Sequence, residues 1–79
     1  MLPQWLIEFS RFRAAKDFMN VTLVDALGIK SFFFTLELER AGNVADLRER
    51  AGPYREALAR SEGDAQAVVL AARLEKMLR

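Results

Sequence analysis

Apolar residues recur along most of the chain at the three- and four-residue spacing of a helix, and turn-forming residues cut that pattern into short pieces. From about Pro3 to Asn20, Trp5, Phe9, Phe12 and Met19 fall near one face, with Ile7 and Phe18 beside it. Arg11, Arg13, Lys16 and Asp17 take much of the remaining surface. Pro3 suits the first turn of such a helix, where its missing N–H has no bond to lose. A second, short helix is expected after it, with Thr22 as its cap and Asp25 in the reciprocal position. Leu23, Val24, Ala26 and Leu27 form its apolar side, and Gly28 is its terminator.

The stretch Ile29–Arg40 carries two periods at once. Phe32, Phe34, Leu36 and Leu38 alternate with Phe33, Thr35, Glu37 and Glu39, as in a strand. The helical period instead sets Phe33, Leu36 and Arg40 on one row and Phe34, Leu38 and Ala41 on the next, with Ser31 as N-cap and Gly42 just past the end. Helix is the favoured reading. Leu-Glu-Leu-Glu-Arg-Ala-Gly is built from strong helix formers and ends on a stop, and no second strand exists for a lone strand to pair with.

Further on, Asn43 caps a helix with Asp46 at the capping-box position, followed by Val44, Leu47 and Ala51 at helical spacing. Gly52-Pro53 interrupts it, and Pro53 opens a new turn that runs through Tyr54, Ala57 and Leu58 to about Ser61. Gly63 ends that segment. Asp64 is read as the cap of a last helix, in which Ala67, Leu70, Ala71, Leu74, Met77 and Leu78 form a continuous seam. The fold class is therefore all-α: one domain over residues 1–79, a small bundle or hairpin stack of four to five short helices.

Composition then changes the picture. Hydrophobic residues make up 52% of the chain, including six Phe, one Trp and one Tyr in only 79 residues. A domain this size buries only about 60–65% of the surface its unfolded chain exposes. Some of the eight aromatics are thus expected on a surface that another subunit or a partner covers. The candidate contact residues are Trp5, Phe9, Phe12, Phe32, Phe33 and Phe34, acting as apolar anchors.

Charge and reactive groups narrow the function. Twelve basic and eleven acidic residues leave a net charge of +1, far from the basic footprint of a nucleic-acid binder. Histidine and cysteine are both absent, which removes the usual general base, the usual thiol nucleophile and the commonest metal ligands. Ser10, Ser31 and Ser61 have no base to activate them, and the four glycines are scattered singly rather than gathered in a phosphate-binding loop. The expectation is a protein that is not an enzyme and uses no metal or cofactor. No apolar run reaches the ~18 residues of a membrane span, and Glu8 and Arg11 break the first stretch as a signal peptide. A cytoplasmic location is expected.

Two local patterns suggest partners. The run from Tyr54 through Ala57, Leu58 and the polar turn at Glu62-Gly63-Asp64 to Ala65 and Ala67 resembles the junction between tetratricopeptide repeats. Ser31–Gly42 then looks like the first helix of that repeat, so the likeness spans residues 31–78 and implies a helical hairpin stack that binds protein. Val44–Ser61 in turn resembles a helix-turn-helix, with Arg55, Glu56 and Arg60 facing the DNA groove. Arg48 and Pro53 depart from that motif. A third possibility, Leu2–Met19 lying on a membrane surface, is diluted by Glu8 and Asp17. The favoured reading is a small regulatory or adaptor-like protein that binds another protein, itself as a homodimer, or both. DNA binding through residues 44–61 is the alternative.

Overall fold

In a computed structural model that describes all 79 residues, the chain is all-α, without strands. Helix α1 spans Gln4–Leu27, and a 3₁₀ turn at Gly28–Ser31 leads into α2, Phe32–Glu39. Helices α3 (Val44–Glu49), α4 (Ala51–Glu62) and α5 (Asp64–Leu78) follow. Helices α4 and α5 form an antiparallel hairpin, and α1 packs across both. Helix α2 folds back along α1, where Lys16 reaches Glu39 at 3.5 Å. No helix is long and apolar enough to cross a membrane.

The first helix is longer than expected. Thr22 does not cap a second helix; it lies inside α1, and its hydroxyl donates back to the Phe18 carbonyl at 2.7 Å. That bond offers the side chain a partner without breaking the helix. The helix ends at Gly28, whose φ of 58° places it where only glycine sits without strain, and its N–H bonds the Val24 carbonyl. Residues 29–39 are helical, as the favoured reading held, but the first of them form a 3₁₀ turn and Ser31 makes no side-chain capping bond. Of the two rows, Phe34, Leu38 and Ala41 turn inward, while Phe32, Phe33 and Leu36 face out.

At α3 the Asn43 side chain accepts from the Asp46 N–H at 2.9 Å, and the Asp46 carboxylate accepts from the Gly42 N–H at 2.9 Å. The capping pair is thus reciprocal, offset by one residue from the usual box. The break before α4 falls at Arg50 rather than at Gly52-Pro53, and Pro53 occupies the first turn of α4, where its ring is tolerated. Asp64 is the first residue of α5 and makes no capping bond; Gly63, at φ 91°, holds the cap position. Arg48 donates to the Leu78 carbonyl and so closes the far end of α5.

The core joins one face from each of these elements. Met19 and Leu23 of α1 meet Leu38 of α2, Leu47 of α3, Tyr54 and Leu58 of α4, and Leu70, Leu74 and Leu78 of α5. At its centre the Tyr54 hydroxyl lies 2.7 Å from Thr22 Oγ1. The helix lengths do not match. At 1.5 Å per residue, α1 is about 36 Å long, α5 about 22 Å and α4 about 18 Å. The hairpin covers only the second half of α1, and the molecule is drawn out to 41 × 23 × 18 Å.

Candidate functional site

Along α1 the residues Trp5, Phe9, Phe12, Lys16, Met19 and Leu23 follow one another at alternating spacings of four and three, so they form one stripe. Met19 and Leu23 are fully buried. Phe12 and Lys16 are half-buried, with the Lys16 ammonium 5.6 Å from the Phe12 ring centre. Trp5 and Phe9 are 68% and 50% exposed. The stripe that enters the core in the second half of the helix thus continues into solvent in the first half. No residue before Ala15 is buried.

Beside this arm lies an open groove of about 510 Å³. Trp5, Phe9 and Phe12 form one wall, and Gly42, Val44 and Arg48 at the start of α3 form the other. Glu8 and Arg11 lie along it, so its charge is mixed.

A second apolar cluster surrounds the turn into α2. Ile29 is 92% exposed, Phe33 77% and Phe32 60%, with Leu36 also exposed. Phe32 to Leu36 is a four-residue step within α2, which places those side chains side by side, and Ile29 lies in the 3₁₀ turn just before them. The Phe32 and Phe33 rings meet edge to face at 6.1 Å. Phe34 points the other way and packs on the core.

The structure therefore divides the six candidate contact aromatics. Trp5, Phe9, Phe32 and Phe33 are exposed, whereas Phe12 and Phe34 are partly buried against the core. Leu2, Ile29 and Leu36 extend the exposed clusters and were not singled out from the sequence. Their signal was present in the same three- and four-residue spacing, one step to either side of the aromatics.

The alternative DNA-facing residues Arg55, Glu56 and Arg60 are all exposed on α4. Arg55 and Arg60 are five residues apart, about 140° around the helix. Arg55 borders a groove with Arg48 and Arg79, while Arg60 borders another with Lys30. A single residue, Arg50, separates α3 from α4.

Burial raises the Tyr54 phenol above its ordinary value. Tyr54 is sealed in the core, away from both apolar clusters. No three or more acidic side chains converge as a metal site would require. No protein-family model, no curated protein and no solved structure matches the chain.

Proposed function

We propose that this protein works by docking onto another protein through the exposed apolar faces of its helices, without catalysing a reaction. One observation carries this reading: four of its eight aromatic rings stand outside the core, gathered with aliphatic neighbours into two contiguous clusters. Scattered apolar residues are ordinary on a protein surface, but contiguous aromatic patches mark binding surfaces. Each Phe that moves from water into a packed interface contributes about 1.5–3 kcal/mol.

A protein partner fits the surroundings better than a polyanion or an anionic membrane. Glu8 accompanies Arg11 beside the arm, and Glu37 and Glu39 accompany Lys30 and Arg40 around α2. With a net charge of +1, the chain offers little to a phosphate backbone or a lipid headgroup layer. The α4–α5 hairpin, whose sequence resembles a tetratricopeptide junction, then serves as the scaffold that holds α1 and α2.

The test is affinity capture from the host's extract with the wild-type chain and with Phe33→Glu, followed by binding of the purified partner. Phe33 supports nothing in the core, so the variant should keep its helical circular dichroism and thermal midpoint. A partner whose affinity falls at least about 30-fold with Phe33→Glu supports docking through this surface. Partners bound equally by both would refute it.

A further inference from the structure

We infer that the α1 arm is the seat of a second copy of this chain: two arms pair antiparallel, Trp5 of each against Phe9 of the other, to make a symmetric dimer. This deepens the docking reading by naming the occupant of one cluster, and leaves the α2 cluster free for a different protein.

Surface area gives the first argument. A compact monomer of 9.0 kDa exposes roughly 4,850 Å² by the general scaling with mass. This chain exposes 5489 Å². The surplus is roughly 640 Å² per copy, so two copies that covered it would bury roughly 1,300 Å², within the range of stable interfaces of about 1,200–2,000 Å².

The arm's own helicity gives the second. It is about three turns long, and most helical stability in proteins comes from packing an amphipathic face against other structure. Its N-terminus has no side-chain cap and no acidic residue in the first turn. Its side-chain support within the helix is one hydrogen bond, Gln4 to Glu8 at 3.4 Å. Trp5, Ile7 and Phe9 are only middling helix formers. A helix of this composition needs an apolar surface to lie against, and the start of α3 leaves an open groove beside its stripe rather than a packed contact.

Spacing and geometry select the partner and its direction. Trp5, Phe9 and Phe12 step by four and three, the repeat with which two helices interlock side chains. In an antiparallel pair the repeat is its own complement: Trp5 of each copy faces Phe9 of the other, the contact occurring twice about a two-fold axis. Beyond Phe12 the same stripe is already covered by α4 and α5. A parallel partner would bring both bodies to the same end and the same side, where they collide. An antiparallel partner places the bodies at opposite ends, and each arm ends beside the other copy's groove between Phe12 and Val44.

Trp5 is the only tryptophan, so its fluorescence reports on the arm alone. The experiment follows mass by analytical ultracentrifugation, and Trp5 emission in parallel, from about 0.1 to about 300 µM, a span suited to an interface of this size. Expected is a shift from 9.0 kDa to twice that mass, with a blue shift of Trp5 over the same concentrations. Phe9→Glu, at an exposed position, should retain helical content and weaken association at least about 30-fold. The chain lacks cysteine, so single thiols report direction. Glu8→Cys, near the axis, should cross-link to itself on mild oxidation, and Leu2→Cys should not.

A monomer throughout the range, or a dimer indifferent to Phe9→Glu, overturns the proposal. Cross-linking through Leu2→Cys in preference to Glu8→Cys overturns the antiparallel pairing. A monomeric chain that still loses a protein partner on Phe33→Glu would refute the dimer and leave the docking reading standing.

Discussion

The bond between Thr22 and Tyr54 fastens the buried half of α1 to α4, and its direction follows from counting protons. Thr22 Oγ1 has one hydrogen, which it gives to the Phe18 carbonyl at 2.7 Å. The Tyr54 hydroxyl, also at 2.7 Å, must therefore be the donor to Thr22 Oγ1. Two substitutions of nearly conserved shape then have unequal effects. Tyr54→Phe deletes the donor, and Thr22 keeps its bond to Phe18; the loss should be about 0.5–1.5 kcal/mol. Thr22→Val removes the acceptor and leaves a phenol stranded at a fully buried position, which should cost about 1–3 kcal/mol. In the double variant no polar group is stranded, so adding Tyr54→Phe to Thr22→Val should cost nothing or restore part of the loss. The coupling between the sites should reach about 1 kcal/mol, above the few tenths expected of independent positions. Urea unfolding followed by circular dichroism measures it, and a 1 kcal/mol change moves the thermal midpoint of a domain this size by about 4–8 °C. Additive losses, or a greater loss from Tyr54→Phe than from Thr22→Val, would refute the assigned donor.

The same phenol makes stability depend on alkaline pH. Its folded pKa is raised above the unfolded value of 10.0, so its contribution is complete below pH 10.0 and is lost as pH rises through the folded pKa. In that window the unfolded chain has lost a proton that the folded chain keeps. Wild-type stability should fall relative to Tyr54→Phe by up to about 1.4 kcal/mol per pH unit, read from urea midpoints on either side of pH 10. At the other end of the bundle, Asn43→Ala removes the cap on the Asp46 N–H and should cost about 1 kcal/mol. Asn43→Asp, which keeps an acceptor there, should retain most of it in the same unfolding assay.

The sequence made legible those features that depend on near neighbours. Asn43 and Asp46 lie three residues apart, so their capping pair could be read directly; Gly28 and Gly63 stop helices through their own backbone freedom. The seam of α5 follows from spacing alone. Features set by distant residues were not legible. Thr22 has the composition of a helix cap, but the residue that holds it in mid-helix is Tyr54, thirty-two positions away. The period of α2 yields two apolar rows and cannot say which faces inward. That choice is made by the core that Leu38 and Ala41 join, and it separates Phe34 from Phe32 and Phe33. The excess of aromatics pointed to contact residues as a group, whereas dividing them between core and surface required the length of each helix.

Helix length also explains why the exposed rings cannot be hidden by local rearrangement. A side chain on a helix leaves the backbone in a fixed direction, and changing its rotamer moves a ring by a few ångströms within its own turn. Trp5 lies ten residues, about 15 Å, along the axis from Ala15, the first buried position of α1. The Gly63 end of α4 lies at the far end of α1, where Ser61 donates to the Ala26 carbonyl, and nearer the arm α4 begins only at Ala51 and α5 reaches only the level of Arg48, which donates to the Leu78 carbonyl. The Ile29–Leu36 cluster is held outward for a related reason. Leu38 and Ala41 occupy the inward side of α2, and rolling that helix to bury Phe33 would bring them out. Both clusters are consequences of packing that is already satisfied, so no rearrangement among α1 to α5 covers them.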